Sequence, residues 1–110
     1  MGFEAIDAYI EEVGGRRLAE GEWGLQIDGV EVGLRASRGL LRAQAWAAPA
    51  GAFEAAELLH RNRSLELVRY ACTRAGEVWV VGDVAVADDA PVDRLLGALA
   101  EAASALRPRG

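Results

Sequence analysis

Few side chains in this sequence could perform covalent or acid–base chemistry, and those few are scattered. His60 is the single histidine and Cys72 the single cysteine, so a Ser/His/Asp or Cys/His nucleophile system would have to be built on one of them. His60 falls near the end of a helical segment between Leu59 and Arg61, which reads as a surface or interface histidine. Cys72 lies in a strand of packing residues with no neighbouring group to lower its pKa, so a buried, inert thiol is expected. Neither Cys-x-x-Cys nor a Cys/His cluster is present for zinc. The acidic pairs have simpler duties: Glu11-Glu12 belongs to a solvated helix face, and Asp88-Asp89 precedes a helix whose free N–H groups it can cap. Two adjacent aspartates lack the ligand count of a calcium or magnesium site. No catalytic residue, metal ligand or cofactor site is expected, and the chain reads as a non-enzyme.

Charge narrows the partners. The net charge is −5 and all 12 basic residues are arginine. Without lysine there is no phosphate-loop lysine, Schiff-base lysine or kinase strand lysine. An acidic surface repels a phosphate backbone, and the one tight basic pair, Arg16-Arg17, follows a helix C-terminus where positive charge complements the dipole. Nucleic acid is therefore not an expected partner. Nor is a membrane, because no apolar run approaches the roughly 20 residues needed to span a bilayer. With one cysteine and no signal-peptide pattern at Met1–Ile6, a reducing, cytoplasmic setting is expected. At 110 residues one core is expected, so the expectation is a single domain over residues 1–110.

The elements that must position any site are read from periodicity. Phe3, Ile6, Ile10 and Val13 recur at helical spacing, and Gly14-Gly15 ends that helix. Arg16 to Glu22 reads as a loop. Trp23 to Ala36 then alternates with a period of two as a pair of strands around Asp28-Gly29, a dipeptide suited to a type I′ turn. After a turn at Arg38-Gly39, Leu40 to Ala48 makes a third strand. Pro49-Ala50-Gly51 breaks it, and Ala52 to Arg63 forms a second helix with Ala52, Ala55, Ala56 and Leu59 on one stripe and an i, i+4 pair between Glu57 and Arg61. Ser64 to Arg74 and Glu77 to Ala87 read as a hairpin around Ala75-Gly76. Gly82, inside the second of these strands, marks a bulge or the close approach of another backbone. Pro91 opens a last helix with the stripe Val92, Leu95, Leu96, Leu99, Ala103 and Leu106, ended by Arg107-Pro108. The fold class is α+β, in the order α-β-β-β-α-β-β-α, with a five-stranded antiparallel sheet and the terminal helices on one face.

One set of residues stands out for binding. Trp46, Tyr70 and Trp79 occupy alternates of strands whose opposite residues form a core, and on that parity they share a sheet face with Val68, Val81 and Cys72. A large apolar patch marks a protein interface. It could be covered by the second helix, by a second copy, or by another protein. A competing reading places a small-ligand or enzyme site between sheet and helices, with Gln44, Tyr70, Arg42 and Arg69 as its polar groups, and a third makes the chain a small subunit of a larger assembly.

The element order on an acidic chain without catalytic motifs resembles the type III secretion chaperone-like fold, including its YbjN-like bacterial relatives, from Phe3 to Leu106. The strand Leu40 to Ala48 separates it from the roadblock or profilin-like order, which has two strands before the middle helix. The resemblance implies a homodimer that binds a protein partner, of unknown identity, and the aromatic set and apolar excess make an apolar sheet face or strand edge the expected route of capture. It also implies that Ala52 to Arg63 and Ser64 to Arg74 lie at the dimer interface. The expected partner-binding or dimer residues are thus Trp46, Ala52, Ala55, Ala56, Leu59, Val68, Tyr70, Trp79 and Val81.

Overall fold

The computed structural model describes residues 4–86 and 91–107. Its elements in chain order are α1 (Glu4–Glu12), β1 (Arg16–Ala19), β2 (Glu22–Ile27), β3 (Val30–Ser37), β4 (Leu40–Ala48), α2 (Ala55–Asn62), β5 (Val68–Cys72), β6 (Val78–Ala85) and α3 (Val92–Ala105). The fold is α+β, and its strands form one antiparallel sheet in the order β1-β2-β3-β4-β6-β5. The sheet has six strands where five were expected. The additional one is β1, inside the expected loop. It has four residues, all exposed, so it lacks the alternation of buried and solvated side chains by which a strand is recognised.

The hairpins follow from turn chemistry. Asp28 and Gly29 both take positive φ, 50° and 80°, as a type I′ turn requires, and set β2 against β3 from Ile27↔Val30 out to Glu22↔Arg35. Arg38 and Gly39 repeat this geometry at 51° and 78° and join β3 to β4. The last hairpin pairs β5 with β6 from Cys72↔Val78 to Val68↔Gly82. Gly82 does mark a close approach, since a Cβ there would lie 2.6 Å from the Leu67 carbonyl oxygen and 2.7 Å from Leu95 Cδ1.

The core lies between the sheet and the two terminal helices. Val92, Leu95, Leu96, Leu99, Ala103 and Leu106 of α3 and its end are all buried, as their stripe requires, against Trp23, Val32, Leu34, Leu41, Ala43, Ala45, Val78 and Val80 of the sheet. Ile6 and Ile10 of α1 join the same cluster. Polar contacts fix α1 there: Tyr9 Oη donates to Asp93 Oδ1 of α3 at 2.8 Å, and Trp23 Nε1 donates to Asp7 Oδ1 at 2.6 Å. Arg17 in β1 lies 3.7 Å from the same Asp7 carboxylate. The expected Asp88-Asp89 cap lies outside the described residues.

The middle helix is shorter than its expected span and turned differently. Ala52 closes a turn onto the Pro49 carbonyl and Phe53 lies in a bend, Glu54 is extended at φ −79° and ψ 145°, and Leu58 is the buried side chain of α2. Ala55, Ala56 and Leu59 face solvent, as does Ala52 before the helix, because α2 docks along the sheet edge at β5 rather than over a sheet face. The i, i+4 pair is present, with Arg61 Nε 3.3 Å from Glu57 Oε2. Beyond α2, the expected strand start at Ser64 shifts to Val68. Leu67 breaks it with φ 69°, an uncommon left-handed conformation for a branched side chain.

Candidate functional site

Antiparallel pairing with a two-residue side-chain period assigns every strand residue to a face. Across the sheet, the side away from α1 and α3 is built in three rows. Glu22, Arg35, Arg42 and Asp83 are successive cross-strand neighbours in the first. Arg16, Gly24, Gly33, Gln44, Val81 and Arg69 form the second, which crosses all the strands. The third pairs Trp46 with Trp79 and Trp79 with Ala71. The helices make their sheet contacts on the core side or at the β1 and β5 edges, so this face is open among the described residues.

Trp46, Trp79 and Val81 therefore share a face, as expected, and α2 does not cover them. Trp46 is 47% exposed and holds a weak hydrogen bond, Nε1 to Glu77 Oε2 at 3.3 Å. Trp79 and Val81 are half-buried. Val68 and Tyr70 correct the expected parity, because both lie on the core face and are buried. The Tyr70 hydroxyl donates to the Ala102 carbonyl of α3 at 2.7 Å, and burial pushes its pKa up. The β5–β6 hairpin closes over three residues, Arg74 to Gly76, with Thr73 N–H donating to the Glu77 carbonyl, so its register is one residue off that of a two-residue turn at Ala75-Gly76 and Tyr70 faces Val80 rather than Val81, which moves both side chains to the other face. Cys72 is a further correction: it shares the core parity, yet it is exposed, because it closes the outermost strand beyond Tyr70. His60 is exposed.

The four polar groups of the small-ligand reading do not converge. Tyr70 is on the core face, while Arg42, Gln44 and Arg69 are on the open one. There Asp83 engages both arginines, with Arg42 Nε at 2.7 Å and Arg69 at 4.0 Å. The Arg42 hydrogen bond holds the Asp83 carboxyl below its ordinary range against the opposing effect of burial. This is a closed ion cluster that pins β4, β5 and β6 together. No group of three or more metal-ligating side chains occurs among the described residues, and no helix there is long and apolar enough to cross a membrane.

The two sheet edges differ. On β5 the Asn62 side chain behaves as a fragment of a neighbouring strand: its Oδ1 accepts from Tyr70 N–H at 2.7 Å and its Nδ2 donates to Tyr70 C=O at 3.1 Å. The β1 edge has pairing only on its β2 side, and Leu18 on it is 59% exposed. Periodicity could not reveal the Asn62 clamp, since it depends on how α2 folds back. The facing glycines were recoverable, because a two-residue turn at Asp28-Gly29 sets Gly24 opposite Gly33 by counting outward.

Comparison with known proteins places this architecture. No family model matches the chain, and no curated protein matches it in sequence. Among solved structures it is similar to the Yersinia pestis type III secretion chaperone SycH, solved in complex with a stable fragment of YscM2. The TM-score is 0.68 and the identity 16%, over 94% of this chain and 98% of that one. It is equally similar, at TM-score 0.68 and 20% identity, to a chain of the heterodimeric ExoU–SpcU complex from the Pseudomonas aeruginosa type III secretion system, over 92% of this chain and 93% of that one. The chain has the type III secretion chaperone-like fold.

Proposed function

We propose that this chain is a non-enzymatic, cytoplasmic homodimer, chaperone-like or a YbjN-like regulatory scaffold, that captures an extended segment of a partner protein on its open sheet face and its free β1 edge. The observation that carries this reading is the uncovered sheet face with the Trp46–Trp79 pair on it. The exposed Trp46 beside half-buried Trp79 and Val81 is surface that water solvates poorly and a partner can bury. The edges refine the route. An unpaired strand edge accepts an added strand through main-chain hydrogen bonds. Asn62 already occupies both groups of Tyr70 on β5, so strand addition is directed to β1. The two similar solved structures are both complexes with a protein, which agrees with this reading.

The dimer contact is assigned to the outward stripe of α2, where Leu59 is 67% exposed beside Ala52, Ala55 and Ala56. Val68 and Tyr70 contribute by fixing β5 from inside. Light scattering on the purified protein tests this. A dimer at micromolar concentration that Leu59→Arg converts to monomer is expected, and a wild-type protein that stays monomeric overturns the dimer.

A further inference from the structure

The strand that offers the free edge cannot hold its own place. The four residues of β1 are all exposed, so ordering them costs chain entropy that no buried side chain offsets, and the pairing with β2 slips between Arg17 and Ala19. Nor can α1 stand alone, because a helix of nine residues is marginal in water without tertiary contacts. Its buried side chains are Ile6 and Ile10, and the element it packs against most closely is β1.

The contacts that tie the two together are specific. One carboxylate, that of Asp7 in α1, accepts the Trp23 indole N–H of β2 at 2.6 Å and lies 3.7 Å from Arg17 Nη1 of β1. Arg17 and Trp23 are themselves cross-strand partners, so Asp7 joins helix, edge strand and neighbouring strand at one point. The connection between α1 and β1 is equally tight. Gly15 N–H donates to the Ile10 carbonyl at 2.8 Å, and a Cβ on Gly15 would lie 2.7 Å from Ile10 Cγ2, 2.8 Å from Leu25 Cβ and 2.9 Å from the Gly24 carbonyl oxygen. The bond from Tyr9 Oη to Asp93 Oδ1 is a separate latch, made between α1 and α3.

We propose that residues 4–19 are one strap, with α1 and β1 docking and leaving together and Asp7 as the clasp, so that the β1 edge exists only while α1 is seated. This rests on the protein-capture reading above and names what regulates its edge. Capture and docking are then reciprocal: a strand added to β1 holds α1 down, and whatever lifts α1 takes the edge away.

The test is amide hydrogen exchange on the full ¹⁵N-labelled protein, which reads the opening of each segment separately. The amides of Val13 and Gly15, which close onto α1, and the protected amides of Arg16–Ala19 are expected to share one protection factor, lower than that of β4 and β6. Tyr9→Phe, which breaks the latch to α3 and leaves the Asp7 clasp intact, is the deciding variant: it is expected to cut protection about fivefold in α1 and in β1 alike. Asp7→Ala, which removes both of its contacts, is expected to cut it at least about tenfold in both. Asp7→Asn, which keeps an acceptor for Trp23 and gives up the exposed ion pair, should restore most of that loss. Amides of β1 that exchange faster than those of α1 and are unmoved by Tyr9→Phe would show that β1 frays by itself. Protection in α1 and β1 equal to that in β4 and β6 would show that no strap separates from the sheet. Either result overturns the strap and leaves the capture reading standing, because an edge that forms without α1, or never leaves, still accepts a strand. A strictly monomeric protein in light scattering removes the dimer and leaves the strap.

Discussion

The two faces of one sheet obey different rules here. On the core side, β3, β4 and β6 present Val32, Leu34, Leu41, Ala43, Ala45, Val78 and Val80, all buried against α3, and even a missing side chain is explained by contact, as at Gly82. On the open side the same strands carry arginines and carboxylates, a glutamine, two tryptophans and Gly33, which faces Gly24 of β2. The first arrangement is what a folding chain needs to bury apolar area. The second has no helix to satisfy, and its glycines and the shielded Trp79 indole N–H, which has no acceptor, are mildly unfavourable to the isolated subunit. Surface that lowers a chain's own stability while the opposite face is fully packed is where function is to be sought.

Mutations on the two faces should therefore separate stability from binding. The largest effect is expected for Leu99→Ala in α3, whose fully buried side chain leaves a cavity costing about 3 kcal/mol, measured by urea denaturation. Gly82→Ala is expected to cost about 2 kcal/mol, because its Cβ would press on the Leu67 carbonyl and Leu95 in a region with no slack. Asn62→Ala should cost about 1 kcal/mol and release both main-chain groups of Tyr70. Concentration-dependent oligomers by light scattering would then show that the clamp keeps the β5 edge closed, and a variant with unchanged assembly would show that it does not. The smallest effect carries the opposite sign: Gly33→Val should raise stability by about 0.5 kcal/mol while weakening binding. If it destabilises instead, the glycine is structural and the contrast between faces fails at that position.

Alkaline pH probes the core side alone. Burial and then the hydrogen bond to Asp93 raise the Tyr9 hydroxyl from its ordinary 10.0 to about 12. Its contribution is complete below pH 10.0 and is lost as pH rises toward 12, since the unfolded chain gives up that proton more readily. The Tm of the wild type should fall across that window by more than the Tm of Tyr9→Phe. Asp83, on the open face, acts at the other end of the scale: its carboxyl is held down by Arg42, so its contribution is present at neutral pH and is lost as pH falls through its depressed pKa.

What the amino-acid sequence determined by itself is local. Asp28, Gly29 and Gly39 adopt left-handed conformations that their residue types tolerate, with Arg38 carried along at φ 51°, and a two-residue turn leaves no freedom in register. The boundaries of β4, the partners across β2 and β3, and the position of Trp46 opposite the core alanines all follow from that. The stripe of α3 was equally legible, because its leucines recur at helical spacing over a long segment. Tertiary structure decided the features without a local period. β1 is a strand only because β2 offers it an edge, the β5–β6 hairpin closes over three residues so that Val68 and Tyr70 fall on the core face, and Leu58 rather than Leu59 turns inward because α2 docks at an edge. The Asn62 clamp is the clearest instance. Its two hydrogen bonds depend on the distance between a helix end and the backbone of Tyr70, and that distance is set by the packing of the whole domain.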